Sequence, residues 1–108
     1  MLPSPDDPGA AHEAPLHERV VRILTTAGFP FLLIERGQVV LSGFIVTIEP
    51  DGDARVHWMG AREVNSLPYR RTFLGAYAST LRQAGLAVAY VENAGEPYLL
   101  CQSDQPSA

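Results

Sequence analysis

Residues 39–59 read VVLSGFIVTIEPDGDARVHWM, and the organisation of the whole chain follows from how this stretch is divided. Phe44, Val46 and Ile48 fall on one side of an extended segment, with Thr47 and Glu49 alternating against them. Val56 and Trp58 then alternate with Arg55 and His57. Such a period of two describes strands buried on one face. Between them, Pro50-Asp51-Gly52-Asp53 is a strong hairpin signal, because Asp-Gly readily adopts positive φ. The stretch therefore predicts a long strand over Val39–Glu49, a turn, and a second strand over Ala54–Met59. Gly43, inside the long strand, marks a bulge or bend.

Working outward, Phe31–Glu35 is a short apolar run that enters the long strand through an Arg36-Gly37-Gln38 turn. Before it, Leu16, Val20, Ile23, Leu24 and Ala27 recur at helical spacing, with Pro15 at the start and Gly28 beyond the end. After Met59, a loop over Gly60–Ser66 leads into a second helical pattern, Leu67–Ala84, with Ser66 as N-cap and Gly85 as C-cap. Leu74, Tyr77, Ala78 and Leu81 form its apolar stripe, and they are expected to pack on Val46, Ile48, Val56 and Trp58. Arg71, Ser79 and Arg82 look outward. Leu86–Glu92 and Pro97–Cys101 close the chain as a hairpin around Asn93–Glu96. The expected fold is α+β, in the order α-β-β-β-α-β-β, with a five-stranded antiparallel sheet packed with two helices.

Composition bounds the rest. The chain has 108 residues, 46% hydrophobic and 19% charged, which suits one domain with a single core. Residues 1–12 carry Pro3, Pro5, Pro8, Asp6 and Asp7, and are expected to be a disordered tail, as are residues 103–108. The folded body is then residues 13–102. The N-terminus has neither a basic region nor an apolar run, so no secretory signal is expected. No run of about 18 apolar residues exists, so no membrane partner is expected. Cys101 stands alone, and a reducing cytoplasm is the default compartment.

Chemistry-bearing patterns are sparse. His12, His17 and His57 lack the paired spacing of metal ligands, and Cys101 lies far along the chain from all three. Neither a metal nor a cofactor is expected. Cys101 sits in the apolar run Tyr-Leu-Leu-Cys, where a thiol packs as a small hydrophobe. The acidic trio Glu49, Asp51 and Asp53 surrounds a turn, and turn chemistry already explains it. No pocket of convergent titratable groups can be placed, so an enzyme is not expected.

One charge asymmetry remains. The chain carries a net charge of −4, yet Asp6, Asp7, Glu13 and Asp104 lie in or beside the tails, which leaves a neutral body. Within it, Arg55, Arg62, Arg70, Arg71 and Arg82 meet only Glu63 between positions 55 and 82. With His57, they define a candidate binding face for phosphate or acidic groups, and nucleic acid is the alternative partner it implies. The missing basic surplus argues against that alternative. So does the position of Arg70 and Arg71 near a helix N-terminus, where the dipole disfavours cations. Trp58 reads as core. Apolar residues on both faces of Phe31–Ile34 and of Leu99–Cys101 instead point to uncovered surface, and so to a homodimer or another protein partner. The expected function is a non-enzymatic interaction module of adaptor or chaperone-like kind.

The segments RVHWMG, YRRTFLGAYASTLRQAGLAVAYV and PYLLC together resemble a pattern in small actinobacterial proteins without an assigned function. The likeness spans roughly residues 54 to 101 and implies no catalytic residue. The element order is similar to the type III secretion chaperone fold, which implies helices on an antiparallel sheet and frequent dimerisation. That fold's closing C-terminal helix has no counterpart here. The α-β-β-β-α portion is similar to a double-stranded-RNA-binding domain. In this chain Leu-Pro-Tyr-Arg-Arg replaces that domain's lysine-rich helix start, and its Gly-Pro-x-His loop is missing. Likenesses of fold carry no function by themselves.

Overall fold

The computed structural model describes residues 15–102; the tails expected at 1–12 and 103–108 lie outside the described residues. The element order is α1 (Leu16–Thr26), β1 (Leu33–Glu35), β2 (Gln38–Leu41), β3 (Gly43–Ile48), β4 (Ala54–Met59), α2 (Leu67–Gln83), β5 (Ala87–Asn93) and β6 (Glu96–Gln102). The α+β class and the two helices are as expected. The single five-stranded sheet is not: β3-β4-β6-β5 form a four-stranded sheet, and β1-β2 form a separate two-stranded one.

The reason lies at Gly43. The long strand expected over Val39–Glu49 breaks at Ser42, whose Oγ accepts a hydrogen bond from the Ala61 N–H at 3.0 Å. Past the break, residues 30–32 lie directly against Phe44. The Phe44 N–H donates to the Pro30 carbonyl at 3.2 Å, and the Leu32 N–H donates to the Phe44 carbonyl at 2.9 Å. A Cβ on Gly43 would stand 2.4 Å from the Pro30 oxygen and 2.6 Å from the Phe31 carbonyl carbon. Only a residue without a side chain permits that approach. The chain therefore turns away from the sheet, and β1 and β2 stand off as a hairpin arm. Arg36 and Gly37, both at positive φ, form its two-residue turn. In the arm Leu33 pairs with Leu41 and Ile34 with Val39, so Val40 is an extra, unpaired residue on β2.

In the main sheet, β3 and β4 pair antiparallel from Gly43↔Met59 to Ile48↔Ala54. β6 joins β4 through Ala54↔Cys101, Arg55↔Leu100 and Val56↔Leu99, and β5 pairs along the whole of β6. Strand alternation sends Phe44, Ala54, Val56, Trp58, Leu99 and Cys101 to one face, where they are buried with Leu16, Val20 and Leu24 of α1 and Leu74, Tyr77, Ala78 and Leu81 of α2. Both helices thus cover the same face, with α1 on β3 and α2 across β4, β5 and β6. Ile48, expected beneath α2, is 60% exposed instead, because β3 is an edge strand and α2 lies over its neighbours. Val46 is only partly buried, while Val56 and Trp58 pack as expected.

The helix ends follow their local sequence closely. The Phe29 N–H reaches the Leu24 carbonyl and the Gly28 N–H reaches that of Thr25; Leu86→Leu81 and Gly85→Arg82 repeat the arrangement after α2. These paired bonds satisfy carbonyls that a helix end would otherwise leave open. Ser66 occupies the N-cap of α2, but its side chain makes no capping hydrogen bond.

Leu81 is fully buried and Arg82 is exposed. Leu81→Ala is expected to lower stability by about 2–5 kcal/mol through lost transfer energy and the cavity left behind. Arg82→Ala loses one exposed hydrogen bond and costs about 1 kcal/mol or less. Urea midpoints with unchanged slopes check the contrast, and equal costs would mean a rotated helix. Gly43→Ala forces backbone on backbone and is expected to destabilise by about 1–3 kcal/mol. Gly75→Ala, in an exposed helical position with nothing within 4 Å of the added carbon, should stabilise by up to about 1 kcal/mol. The same unfolding curves read both.

Candidate interaction surface

Among the described residues, nothing covers the sheet face opposite the helices. Register places Ile45 beside His57, and Thr47, Arg55, Leu100 and Ala89 in one row across the four strands. The Arg55 guanidinium lies over the Tyr98 ring, 4.5 Å from its centroid, and pairs with Glu49. The His57 ring lies 5.7 Å from that of Tyr98. His57 is half-buried, and burial first, then the Arg55 charge, pulls its pKa below the usual 6.5, while Glu96 and Glu49 push the other way.

The six candidate residues do not converge on one face. Arg55 and His57 belong to the open sheet face. Arg70 Nε donates to Asn65 Oδ1 at 3.2 Å, and its guanidinium stands 3.5 Å from Glu96. Arg71 holds Glu92 through two bonds of 3.0 and 2.8 Å, and the Tyr90 hydroxyl donates to the same carboxylate at 2.8 Å. Arg71, then Tyr90, lowers the Glu92 pKa to about 2. Arg82 donates to the Val88 carbonyl at 2.9 Å. Arg62 alone of the five arginines has no such partner among the described residues. The conflict between Arg70, Arg71 and the dipole of α2 is thus relieved by carboxylates from the β5–β6 hairpin.

Other chemical readings can be placed as well. Cys101 is buried, and burial, with Asp53 second, raises its thiol to about 11, so it stays protonated at neutral pH. Glu49 pairs with Arg55 on the neighbouring strand, and Asp51 Oδ1 accepts from the Asp53 N–H, so two of the three carboxylates are engaged locally. Trp58 is 5% exposed and stacks on Phe73 at 4.6 Å, as core. Among the described residues no group of three His, Cys, Asp or Glu could hold a metal ion. No helix among them is long and apolar enough to cross a membrane.

The most unusual surface is the arm. Leu33, Ile34, Val40 and Leu41 of the arm, and Phe31 at its base, are each 44–56% exposed, all within eleven residues of sequence. A hollow of about 490 Å³ joins the arm to the body, and Val39 of β2 and Met59 of the open sheet face both line it. Gln38, Arg62, Glu63 and Asn65 line the hollow as well, so polar groups separate the arm from the open face there. Sequence reasoning marked Phe31–Ile34 as apolar on both faces but placed it inside a sheet. The exposure of Val40 and Leu41 was missed, since nothing local distinguishes them from core strand residues. Of the Leu99–Cys101 run, Leu99 and Cys101 are core, and Leu100 alone turns to the open face.

No protein-family model, no curated protein and no solved structure matches the chain. Its class is therefore defined by its own geometry: an α+β domain with helices on one face of a four-stranded antiparallel sheet, carrying an apolar arm.

A folded-state pKa of His57 below its unfolded value means that protonation favours the unfolded chain. That share of stability is intact above pH 6.5 and declines as pH falls below it. An NMR titration of His57 is expected to give a midpoint under 6.5, and Arg55→Met should move it upward by removing the second cause of the shift. A midpoint at or above 6.5 in the unsubstituted protein would contradict the half-buried placement.

Proposed function

We propose that the chain is a non-enzymatic protein-interaction module, adaptor or chaperone-like in kind, that engages protein partners through the arm and the adjoining open sheet face. The observation that carries this reading is the concentration of four half-exposed large apolar side chains on the arm, with Phe31 a fifth at its base. A protein seldom leaves more than a few hundred Å² of contiguous apolar surface uncovered unless that surface binds something. Both helices lie on the other side of the sheet, so nothing else described in the chain covers it. A single buried thiol suits a reducing compartment, and we place the protein in the cytoplasm.

The alternative, nucleic-acid binding through the arginines, has less support. Four of the five are engaged with groups of the same chain, and phosphate would have to displace them.

Affinity capture from host lysate, with and without nuclease, separates the two readings. The unsubstituted chain is expected to retain protein regardless of nuclease, a second copy of itself included. The Leu33→Asp/Leu41→Asp variant should lose at least about tenfold of that recovery, because a charge cannot be buried unpaired in an apolar contact. Recovery that depends on nuclease and ignores the arm would overturn the proposal in favour of nucleic acid.

A further inference from the structure

The hollow between the arm and the body is bounded by the arm tip at residues 37–39, by Met59 and Gly60 at the end of β4, and by the loop that follows. We propose that it binds a free α-amino acid with an aliphatic side chain. Arg62 and Asn65 hold the carboxylate, Glu63 holds the ammonium, and Val39 and Met59 receive the side chain. This function goes beyond the interaction-module reading and does not rest on it.

Three observations lead there. The first is a pair of unspent charges. Arg62 and Glu63 both line the hollow, and neither side chain makes an ion pair or hydrogen bond among the described residues, with each other or with any third group. Arg55, Arg70, Arg71 and Arg82, by contrast, are all engaged within the chain. A plain anion would gain from Arg62 and lose to Glu63, and a plain cation the reverse. A ligand with both charges gains from each. In an α-amino acid the two charged groups hang on one carbon, and neighbouring residues, about 3.8 Å apart at Cα, offer the matching pair.

The second is that the polar wall is already built. Ser42 Oγ accepts from the Ala61 N–H at 3.0 Å, and the Val64 N–H donates to the Ala61 carbonyl at 2.9 Å. The turn that carries Arg62 and Glu63 is therefore closed on itself and tied to the break between β2 and β3. Asn65 Oδ1 accepts from the Gly60 N–H at 3.4 Å and from Arg70 Nε at 3.2 Å. Both partners are donors, so the oxygen faces them, and the amide nitrogen remains a donor without a partner among the described residues. A carboxylate accepts from such a donor alongside a guanidinium. Groups held in place beforehand lose less freedom when a ligand arrives.

The third is size and lining. The hollow's volume of about 490 Å³ lies within the roughly 300–1,000 Å³ of small-molecule sites, which combine apolar walls with a few placed polar groups. Val39 is half-buried and Met59 is 40% exposed, one from the arm and one from the body. Methionine adapts its shape readily to an aliphatic neighbour.

Titration of the isotope-labelled full chain with L-leucine, followed at the amide resonances of Gln38, Gly60 and Ala61, tests the assignment. Saturable shifts at these positions are expected, with a Kd of about 0.1–1 mM for so small a ligand. N-acetyl-L-leucine lacks the ammonium and L-leucinamide lacks the carboxylate. Each should bind at least about tenfold more weakly, and so should glycine, which has no side chain to bury. Arg62 and Glu63 are exposed, so Arg62→Gln and Glu63→Gln should keep the thermal midpoint while each weakens L-leucine at least about tenfold. Arg22→Gln, exposed on α1, should leave the affinity unchanged. No saturable shift up to about 20 mM L-leucine overturns the site. Equal binding of N-acetyl-L-leucine overturns the amino acid as its ligand. Shifts that survive both glutamine substitutions overturn Arg62 and Glu63 as the groups that read it. None of these results touches recovery of protein through the arm, so the interaction module stands or falls by the lysate capture alone.

Discussion

The approach of residues 30–32 to Phe44, across a glycine that leaves room for it, is the contact on which the rest of the architecture depends. Two backbone hydrogen bonds hold the incoming chain on the edge of β3, and the missing Cβ of Gly43 makes that distance possible. Once the segment is seated there, Phe31 packs on Phe44 with ring centroids 4.7 Å apart, and Phe44 in turn meets Tyr77. The same contact covers one edge of the main sheet and turns β1 and β2 away from it. The arm is thus a consequence of how the edge of β3 is closed.

On the helical side, the core is organised around Tyr77. Phe29 meets its ring edge-on at 4.8 Å, Phe44 approaches from the sheet, and Phe73 bridges to Trp58. These contacts link the exit of α1, the start of β3, the end of β4 and the middle of α2. The Tyr77 hydroxyl lies buried without a hydrogen-bond partner among the described residues, and burial raises its pKa well above the usual value. The core therefore retains one polar atom at a cost, which aromatic packing offsets. Around the rim, Arg71 and Arg82 tie α2 to β5. Charges that looked free in the sequence are fasteners between helix and hairpin.

This division sets what the two sheet faces can do. The face under the helices is filled, and its one thiol is held protonated. The opposite face carries a tyrosine with an arginine over its ring and a histidine beside it, next to aliphatic residues, and the polar groups of the hollow separate it from the arm. In the proposed interaction, such a surface would be met by area and shape.

Local sequence determined a good deal by itself. Apolar spacing placed both helices, Gly28 and Gly85 ended them, and the Asp-Gly turn set the β3–β4 register, because each depends only on neighbours along the chain. Alternation also assigned Trp58 and Val56 to the core. Gly43 was marked as a bend, but a bend does not say which side of the chain arrives to use it. Whether Phe31–Ile34 joins the sheet or leaves it depends on backbone from Pro30 meeting Phe44. Whether Arg71 is free depends on Glu92, twenty-one positions away. Contacts of that kind are set by which strand lies beside which, and a strand's pattern of side chains says nothing of its neighbour. The helices and turns could therefore be read from the residues, while the arm, the uncovered face and the fate of the arginines were decided only when the strands took their places.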